Sequence, residues 1–346
     1  MPDYLVFGSC LRSELPFPEL AESHGREPKW TLKLASLGLD ESGELLSDAQ
    51  LSASCRIRIS RGKGRLRFFH SCAGTFELRA NGREIIFDAD RAADIDAART
   101  DLVARLLLMS AEQDRVTWLH GSAVRIGETA VAFIGASGSG KSTLALALAR
   151  GGAQHICDDA LPIEQGNPPV VWSSDGTIRL CDDTRLRFAS RVNSVRRESD
   201  GKFVVTQSAL LRDGITQDVA GAHGLPGTRD HSTESRTPLS AVYLLVPFVP
   251  GVSTGISDSA PTRRLIPPSA AVASLIQHLK LGALVDPEYP ATKMKQLAAI
   301  VRSTPVFELR IPRNWSTIGA VVSQLVDWHR TIPAELASAE NAGTDQ

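Results

Sequence analysis

The feature that most constrains the fold of this chain is a glycine-rich octapeptide, Gly135-Ala136-Ser137-Gly138-Ser139-Gly140-Lys141-Ser142. It fits the pattern G-x-x-x-x-G-K-[ST]. A short apolar stretch, Ala130–Ile134, precedes it, and a stretch rich in Ala and Leu, Lys141–Arg150, follows it. Strand, glycine-rich turn and helix together let backbone N–H groups and a helix N-terminus surround a phosphate chain. The sequence therefore predicts an α/β fold with a phosphate-binding loop.

The motif predicts roles for individual residues of the loop. We expect the stretch from Gly135 through Thr143 to bind the nucleotide, with Lys141 at the β- and γ-phosphates. The hydroxyl of Ser142 is expected to hold Mg²⁺. The alternative is a glycine-rich turn that binds nothing, but the flanking strand and helix argue against it.

Two polar features flank the loop. Asp158 and Asp159 end the next predicted strand, His155–Cys157, and His120 precedes the loop. An acid at such a strand end often holds Mg²⁺, and a second acid that points elsewhere can meet an incoming hydroxyl group. The alternatives are a solvated turn for the aspartates and a packed or surface side chain for the histidine.

The distribution of strand and turn residues predicts two domains and a tail. Residues 1–115 are predicted to form a β-rich N-terminal domain with a hairpin at Asn81-Gly82, residues 116–332 the phosphate-loop domain, and residues 333–346 a flexible tail. The N-terminal domain either binds an extended peptide along a strand edge or only covers one face of the catalytic sheet. Helices are expected over Ala92–Ser110, Ser269–Val285, Pro290–Ser303 and Ser316–Ile332. Strands are expected over Ser240–Val249 and Pro305–Ile311, and a loop region with a hairpin over Arg191–Thr237.

Composition narrows the class of protein. The 346 residues carry 38 basic and 39 acidic side chains, so a globally basic nucleic-acid binder is not expected. No apolar run approaches the roughly 18 residues of a membrane helix, and the N-terminus lacks the regions of a signal peptide. The five cysteines are scattered without the C-x-x-C spacing of common zinc sites, so we interpret them as reduced thiols of a cytoplasmic protein.

The order of these motifs resembles the C-terminal catalytic domain of the HPr kinase/phosphorylase family. In that family a His-Gly pair opens a strand, a phosphate loop follows, and an Asp-Asp pair closes the next strand. The matching segments here are Leu119–Val124, Gly135–Ser142 and Ile156–Ala160. The resemblance implies that His120 and Lys141 assist at the phosphates, that Ser142 and Asp158 hold Mg²⁺, and that Asp159 deprotonates a serine hydroxyl.

The rest of the chain departs from the bacterial regulator. The family's later E-I-R-G-L-G type segment is absent, and Ile178–Thr184 stands in roughly that place. That run is similar to the R-L-x-x-D segment of the shorter HPr kinase-like proteins found with peptide-maturation genes, including lasso-peptide kinases. Asp183 either replaces the missing metal ligand or caps the following helix. Lys202, in a Gly-Lys pair similar to an element of those proteins, either neutralises phosphate or is an exposed hairpin lysine.

The predicted function is that of an ATP- and Mg²⁺-dependent serine kinase acting on a small protein or precursor peptide, with lasso-peptide-type tailoring favoured. Neither nucleic acid nor membrane is an expected partner, and a homo-oligomer remains open. Alternative functions are HPr kinase/phosphorylase proper and a nucleotide-gated regulatory module. A small-molecule kinase or a carboxykinase relative is a further alternative, because phosphate-loop folds act on many acceptors.

Overall fold

The computed structural model describes residues 1–38, 43–52, 55–89, 93–110, 116–173, 177–188, 192, 195–197, 201–206, 236–246, 260–280, 289–312 and 314–330. The predictions for the tail 333–346, for most of the loop region between 191 and 235, for the end of the strand expected at 240–249 and for 281–285 lie outside these residues. Within the described part, the chain forms a mixed α/β structure with three sheets.

The first sheet comes from the N-terminal part of the chain. Its strands are β1 Asp3–Val6, β2 Ser9–Ser13, β3 Ala21–Glu22, β4 Pro28–Leu34, β5 Glu44–Ser52, β6 Cys55–Gly62, β7 Arg65–His70, β8 Gly74–Arg79 and β9 Glu84–Asp88. Their order in the sheet is β3-β1-β2-β4-β9-β8-β7-β6-β5. Strands β5 to β9 form an antiparallel meander, and β4 lies parallel to both β2 and β9. In β6, Ile57 and Ile59 are buried, whereas Arg56 and Arg58, which alternate with them, are exposed, so one face of the sheet meets the core.

The hairpin predicted at Asn81-Gly82 is confirmed. A 3-10 turn, Ala80–Gly82, joins β8 to β9, and Asn81 and Gly82 have φ angles of 56° and 82°. Asparagine and glycine are the residues that enter this left-handed region most readily.

The helix predicted over Ala92–Ser110 is present but begins at Ile95. It consists of α1 Ile95–Asp101, a π-helical turn Leu102–Leu106 and α2 Leu107–Ser110. The carboxylate of Asp94 accepts hydrogen bonds from the backbone N–H groups of Asp96 and Ala97, and this cap fixes the start of the helix.

The second sheet carries the phosphate loop. Its strands are β10 Val116–Leu119, β11 Gly121–Ile126, β12 Thr129–Ile134, β13 Gln154–Cys157, β14 Leu161–Glu164, β15 Val170–Trp172, β19 Arg236–Leu245, β20 Thr262–Leu265 and β21 Val306–Arg310. The order is β10-β14-β15-β19-β12-β11-β13, and β21 pairs with both β19 and β20. Strands β12, β19 and β21 are parallel, whereas β11 runs antiparallel to β12 and β13.

A small third sheet contains β16 Thr177–Leu180, β17 Arg196–Arg197 and β18 Phe203–Thr206, in the order β16-β18-β17. The pair β17–β18 confirms the hairpin expected within the loop region. The remaining helices are α3 Lys141–Arg150, α4 Asp182–Phe188, α5 Pro268–Ile276, α6 Tyr289–Ser303 and α7 Ile318–Arg330, with a 3-10 turn, Trp315–Thr317, before α7.

Helices cover both faces of the second sheet. On one face, Leu148 of α3 and Leu325 of α7 share a buried cluster with Phe133 of β12. On the other face, Leu275 of α5 and Leu297 of α6 pack with the strands. A sheet between two helical layers is the architecture expected of an α/β fold.

The first sheet is not isolated from the second. Trp118 of β10 and Trp172 of β15 belong to the same buried cluster as Phe7, Trp30 and Phe76. The rings of Phe7 and Trp118 meet edge to face with centroids 4.7 Å apart. The two sheets therefore share one hydrophobic core along β10 and β15.

One predicted helix ends early. Within the described part of the predicted stretch Ser269–Val285, residues 269–280, the helix ends at Ile276. A turn follows, with the His278 N–H bonded to the Leu275 carbonyl, and Leu279 forms an antiparallel bridge with Leu119. Backbone groups that would continue the helix are therefore used in pairing with the end of β10.

Across the helices of the described ranges, none is both long enough and apolar enough to cross a membrane.

Candidate functional site

Strand register brings the three sequence motifs to one edge of the second sheet. Gly121, at the start of β11, pairs with Ile134, the last residue of β12, and Ala123 pairs with Cys157, the last residue of β13. His120 before β11, the phosphate loop after β12 and Asp158-Asp159 after β13 therefore converge. This arrangement agrees with the expectation that the His-Gly pair opens a strand and the Asp pair closes one.

Two glycines at this edge have no room for a side chain. A Cβ atom at Gly121 would lie 2.8 Å from the Phe133 carbonyl oxygen. Gly135 has a φ of 153°, and a Cβ there would lie 3.0 Å from the Leu245 carbonyl oxygen and 3.0 Å from the Ser139 hydroxyl oxygen. The close approach of the strands at the base of the loop thus requires glycine at both positions.

Lys141 is buried inside its own loop. Its Nζ donates hydrogen bonds to the carbonyl oxygens of Gly135, at 2.9 Å, and Ala136, at 3.0 Å. Burial lowers the pKa of Lys141 to about 8, and the charge of Lys202 acts in the same direction, against the charges of Asp158 and Asp159. The ammonium group is therefore held where added negative charge would stabilise it.

The loop also contains a polar atom that a phosphate would satisfy. The Ser139 hydroxyl is buried and has no hydrogen-bond partner in the described part of the chain. Helix α3 begins directly after Gly140, and the first N–H groups of a helix have no partner within it. The orphaned hydroxyl, the buried ammonium and the helix start fit the phosphate chain of a nucleotide.

Asp158 is held by neutral donors. One carboxylate oxygen accepts from the Ser122 hydroxyl at 2.6 Å, and the other accepts from the backbone N–H of Arg179 at 2.8 Å. The side chain is buried, and its charge opposes the lowering of the Lys141 pKa. Because each carboxylate oxygen has a second lone pair, Asp158 retains acceptor sites for a hard cation such as Mg²⁺.

Asp159 is held by cations instead. Its Oδ2 lies 2.5 Å from the Lys280 Nζ and 3.2 Å from the Arg179 Nη1, and its Oδ1 lies 3.3 Å from the His120 Nδ1. Burial alone would raise the pKa of Asp159, but Lys280, His120 and Arg179 together hold it well below its usual range. The backbone φ of 64° turns this residue away from its neighbour, Asp158. The two aspartates thus have different partners, as two different roles would require.

Lys280 is a residue that the sequence did not reveal. The Lys280 N–H donates to the Trp118 carbonyl at 2.9 Å, and the His120 N–H donates to the His278 carbonyl at 2.7 Å. This short antiparallel pairing carries the Lys280 side chain to Asp159, where its Nζ also contacts the backbone carbonyl at 3.1 Å. Helix propensity predicts that the helix continues through Lys280, so the local sequence does not indicate that Lys280 reaches Asp159.

His278 and Arg179 are further residues of the site. Burial lowers the pKa of His278, and the charges of Lys141 and His120 lower it further. The His278 carbonyl accepts a hydrogen bond from the His120 N–H, so His278 lies beside His120. Arg179 lies in the segment similar to the R-L-x-x-D element, but its contacts with both aspartates depend on the third sheet. Arg179, Lys141, Lys202 and Lys280 make this edge rich in positive charge, which suits a polyphosphate.

The first turn of α4 reaches the phosphate loop through Thr184. Its hydroxyl lies 2.8 Å from the hydroxyl of Thr143, in the first turn of α3. Asp183 is exposed beside it, in the first turn of α4. The expected metal role of Asp183 therefore stays a prediction, as do the nucleotide and metal roles of Thr143 and Ser142.

Comparison with known proteins gives little further support. No protein-family model matches the chain, and no curated protein matches it. Among solved structures, it is similar to the Hpr(Ser) kinase/phosphatase from Coxiella burnetii, with 15% sequence identity and a TM-score of 0.34. The match covers 66% of this chain and 99% of that one. At this TM-score the likeness carries no argument about fold or activity, so the functional conclusion depends on the site itself.

Proposed function

We propose that the chain is an ATP- and Mg²⁺-dependent kinase that transfers a phosphoryl group to a serine hydroxyl of a small protein or precursor peptide. Among such acceptors we favour a ribosomally made peptide of the lasso type, because the segments Ile178–Thr184 and Gly201-Lys202 are similar to the shorter peptide-linked kinases.

One observation carries this proposal: a carboxylate that contacts two cations and a histidine lies beside a phosphate-binding loop. Asp159 contacts Lys280, Arg179 and His120, and its charge also acts on Lys141 of the loop. Phosphoryl transfer needs little more than an oriented acceptor, a base near it and positive charge around the transferring group. The carboxylate and the positive charges lie at the same sheet edge.

The loop and Asp158 would hold the nucleotide and its metal. Mg²⁺-ATP, when bound, supplies the phosphoryl group and the positive charge of the metal. Lys141 would exchange the carbonyl oxygens of Gly135 and Ala136 for phosphate oxygens, and the Ser139 hydroxyl, which has no partner among the described residues, would donate to a phosphate oxygen. Ser142 and Asp158 are the residues that would hold Mg²⁺.

Asp159 is the residue that would accept the serine proton. Its lowered pKa makes it a weak base as long as Lys280 and Arg179 contact it. Added phosphate charge competes for both cations and so raises the basicity of the carboxylate. Proton transfer also comes late in a loose transition state, so a strong base is not required. Lys280 and Arg179 would then stabilise the charge of the transferring group.

A second function is favoured by the same ion pairs. If Lys280 and Arg179 stay on Asp159 when nucleotide binds, the carboxylate is unavailable as a base. The chain would then be a nucleotide-gated regulatory module that binds ATP without transferring phosphate. The two functions differ in a single measurable product, a phosphorylated acceptor.

A transfer assay tests the proposal. The full chain is incubated with γ-³²P-labelled ATP, Mg²⁺ and a peptide that contains one serine, next to the same peptide with alanine at that position. We expect label on the serine peptide alone. Binding of ATP in calorimetry without label on any of a panel of serine peptides would favour the regulatory module.

A further inference from the structure

The first sheet contains a cluster of metal-binding side chains that the proposed kinase function does not use. Cys55, His70 and Cys72 each offer a ligand atom, and these atoms all lie within 4.8 Å of one another. Cys55 and His70 are buried, whereas Cys72 is partly exposed. The cluster lies at one end of β6 and β7 in the first sheet and contains no residue of the phosphate loop.

Strand pairing explains how the three residues meet. Ile57 of β6 pairs with His70 of β7, and the Ser71 N–H donates to the Arg56 carbonyl at 3.0 Å, so the register continues past His70. A turn closed by a bond from the Ala73 N–H to the His70 carbonyl then places Cys72 opposite Cys55. The three residues therefore form an H-x-C pattern at the end of β7 and a single cysteine at the start of the preceding strand, β6. A search for C-x-x-C spacing does not find this pattern.

His70 is oriented as a metal-binding histidine usually is. Its Nδ1 contacts the buried carboxylate of Asp101, and Arg105 contacts the same carboxylate from the next helical turn. Because the carboxylate accepts a hydrogen bond from the Nδ1–H group, Nε2 carries the lone pair of the neutral ring, and it faces the opposite side. There the Cys55 Sγ lies 2.7 Å from Nε2. A carboxylate behind a histidine fixes the tautomer and raises the basicity of the ligand nitrogen.

We propose that Cys55, His70 and Cys72 form a Zn²⁺ site in which Asp101 positions His70. Two thiolates and an imidazole are ligands that favour zinc over the hard cations Mg²⁺ and Ca²⁺. Two thiolates also balance the charge of one Zn²⁺ ion. The partly exposed Cys72 gives the ion a route from solvent and leaves one side for a fourth ligand.

The geometry requires a small adjustment on binding. Tetrahedral bonds of about 2.3 Å to sulfur and about 2.0 Å to nitrogen separate those two atoms by about 3.5 Å. The Cys55 sulfur and the His70 ring would therefore move apart by less than about 1 Å, which a small side-chain rotation supplies.

Metal titration of the full chain tests the site. The purified protein is kept reduced, stripped with a chelator and titrated with Zn²⁺ against a chromophoric chelator, and with Co²⁺ in an optical spectrum. We expect one equivalent of Zn²⁺ with a submicromolar dissociation constant. Co²⁺ should give thiolate-to-cobalt charge-transfer absorption in the near ultraviolet and the visible bands of a tetrahedral ion.

Matched cysteine variants locate the ion. Cys72→Ser should lose at least about 100-fold in Zn²⁺ affinity, more than an outer partner contributes. Cys181→Ser removes an exposed thiol outside the cluster and should bind Zn²⁺ normally. Asp101→Asn should weaken binding by about 10- to 100-fold but keep the cobalt charge-transfer band, because both thiolates remain. Circular dichroism establishes that each variant is folded.

Three results would overturn the site. The first is a folded, reduced wild-type chain that binds no stoichiometric Zn²⁺, so that the cluster is only hydrogen-bonded. The second is equal affinity in folded Cys72→Ser and wild type. The third is a Cys55–Cys72 disulfide in the peptide map of protein isolated under thiol-blocking conditions.

Discussion

The two large sheets assemble their polar clusters in opposite ways. In the first sheet, Cys55, His70 and Cys72 come from two neighbouring strands of one meander. In the second sheet, Asp159 meets a lysine 121 residues further along the chain. A cluster from adjacent strands needs only a hairpin register, whereas the pair Asp159–Lys280 needs the whole sheet and the helices on its faces.

The same comparison separates the expected functions of the two regions. The second sheet holds the groups that the proposed phosphoryl transfer would use, and the first holds an edge strand and the proposed metal site. Arg105 links them: it contacts Asp101, and its charge adds to the burial that lowers the pKa of Lys280. Changes in the second sheet should therefore affect chemistry, and changes at the edge of the first should affect acceptor binding.

The largest effect is expected from Lys141→Ala. It removes the buried positive charge of the loop, and such charges commonly stabilise the transition state by several kcal/mol. Transfer should fall by about 10³-fold or more, below detection in a labelled-ATP assay. ATP binding measured by calorimetry should be partly retained through the backbone N–H groups. Near-normal turnover in this variant would contradict the assignment of the phosphate loop.

The next largest effect is expected from Asp159→Asn. Loss of the base should lower turnover by about 10²-fold. It also leaves the buried ammonium of Lys280 without its carboxylate, so the free energy of unfolding should fall by about 3 kcal/mol. Initial rates and urea unfolding measure the two effects separately.

A double variant distinguishes catalysis from stability. Lys280→Met combined with Asp159→Asn removes the unpaired charge and should restore stability without restoring turnover.

Asp158→Asn should instead raise the Mg²⁺ concentration needed for half-maximal rate. If excess Mg²⁺ rescues Asp159→Asn but not Asp158→Asn, the roles of the two aspartates are reversed.

Sequence reasoning was reliable where the chemistry is local. The loop, helix α3 and the strand before Asp158 follow from a motif whose residues are consecutive, and the structure has them at the predicted places. Lys280 and His278 were missed because their segment favours helix by composition but pairs with the end of β10. The cluster of Cys55, His70 and Cys72 was missed because these residues are neighbours only through strand register. Non-local pairing is the information that propensity and spacing do not contain.

A smaller effect is expected at the edge of the first sheet. Strand β5 pairs only with β6 among the strands described, and Leu45 on it is 55% exposed. If an extended peptide binds along this edge, Leu45→Asp should weaken peptide binding about tenfold, since covering a leucine contributes about 1.5 kcal/mol or more. ATP affinity should not change. Leu265→Asp, at a leucine 61% exposed on β20, is the matched control and should bind peptide normally.

Calorimetry with the acceptor peptide decides this point. Equal peptide affinity in folded Leu45→Asp and wild type would mean that the first sheet only covers the second. The acceptor would then lie wholly against the phosphate-loop domain.

The smallest effect is expected from pH. The pKa of Lys141 in the free chain is lowered to about 8, and nucleotide binding favours its protonated form. As the pH rises through about 8 the free chain loses this proton, so ATP affinity should fall about fourfold between pH 7 and 8.5. Lys141→Ala, with no such proton to lose, should show a flat profile over the same range. The same decline in both proteins would assign it to another group, such as Lys280.

The most direct test of the proposed function is the ratio of phosphopeptide formed to ADP released, measured by mass spectrometry and a coupled ADP assay on the same sample. With Mg²⁺ and a serine peptide that binds the chain, we predict a ratio near one. Without Mg²⁺, or with alanine at the acceptor position, we predict that no phosphopeptide forms. ADP released with no phosphopeptide, or bound ATP with neither product, would contradict the account.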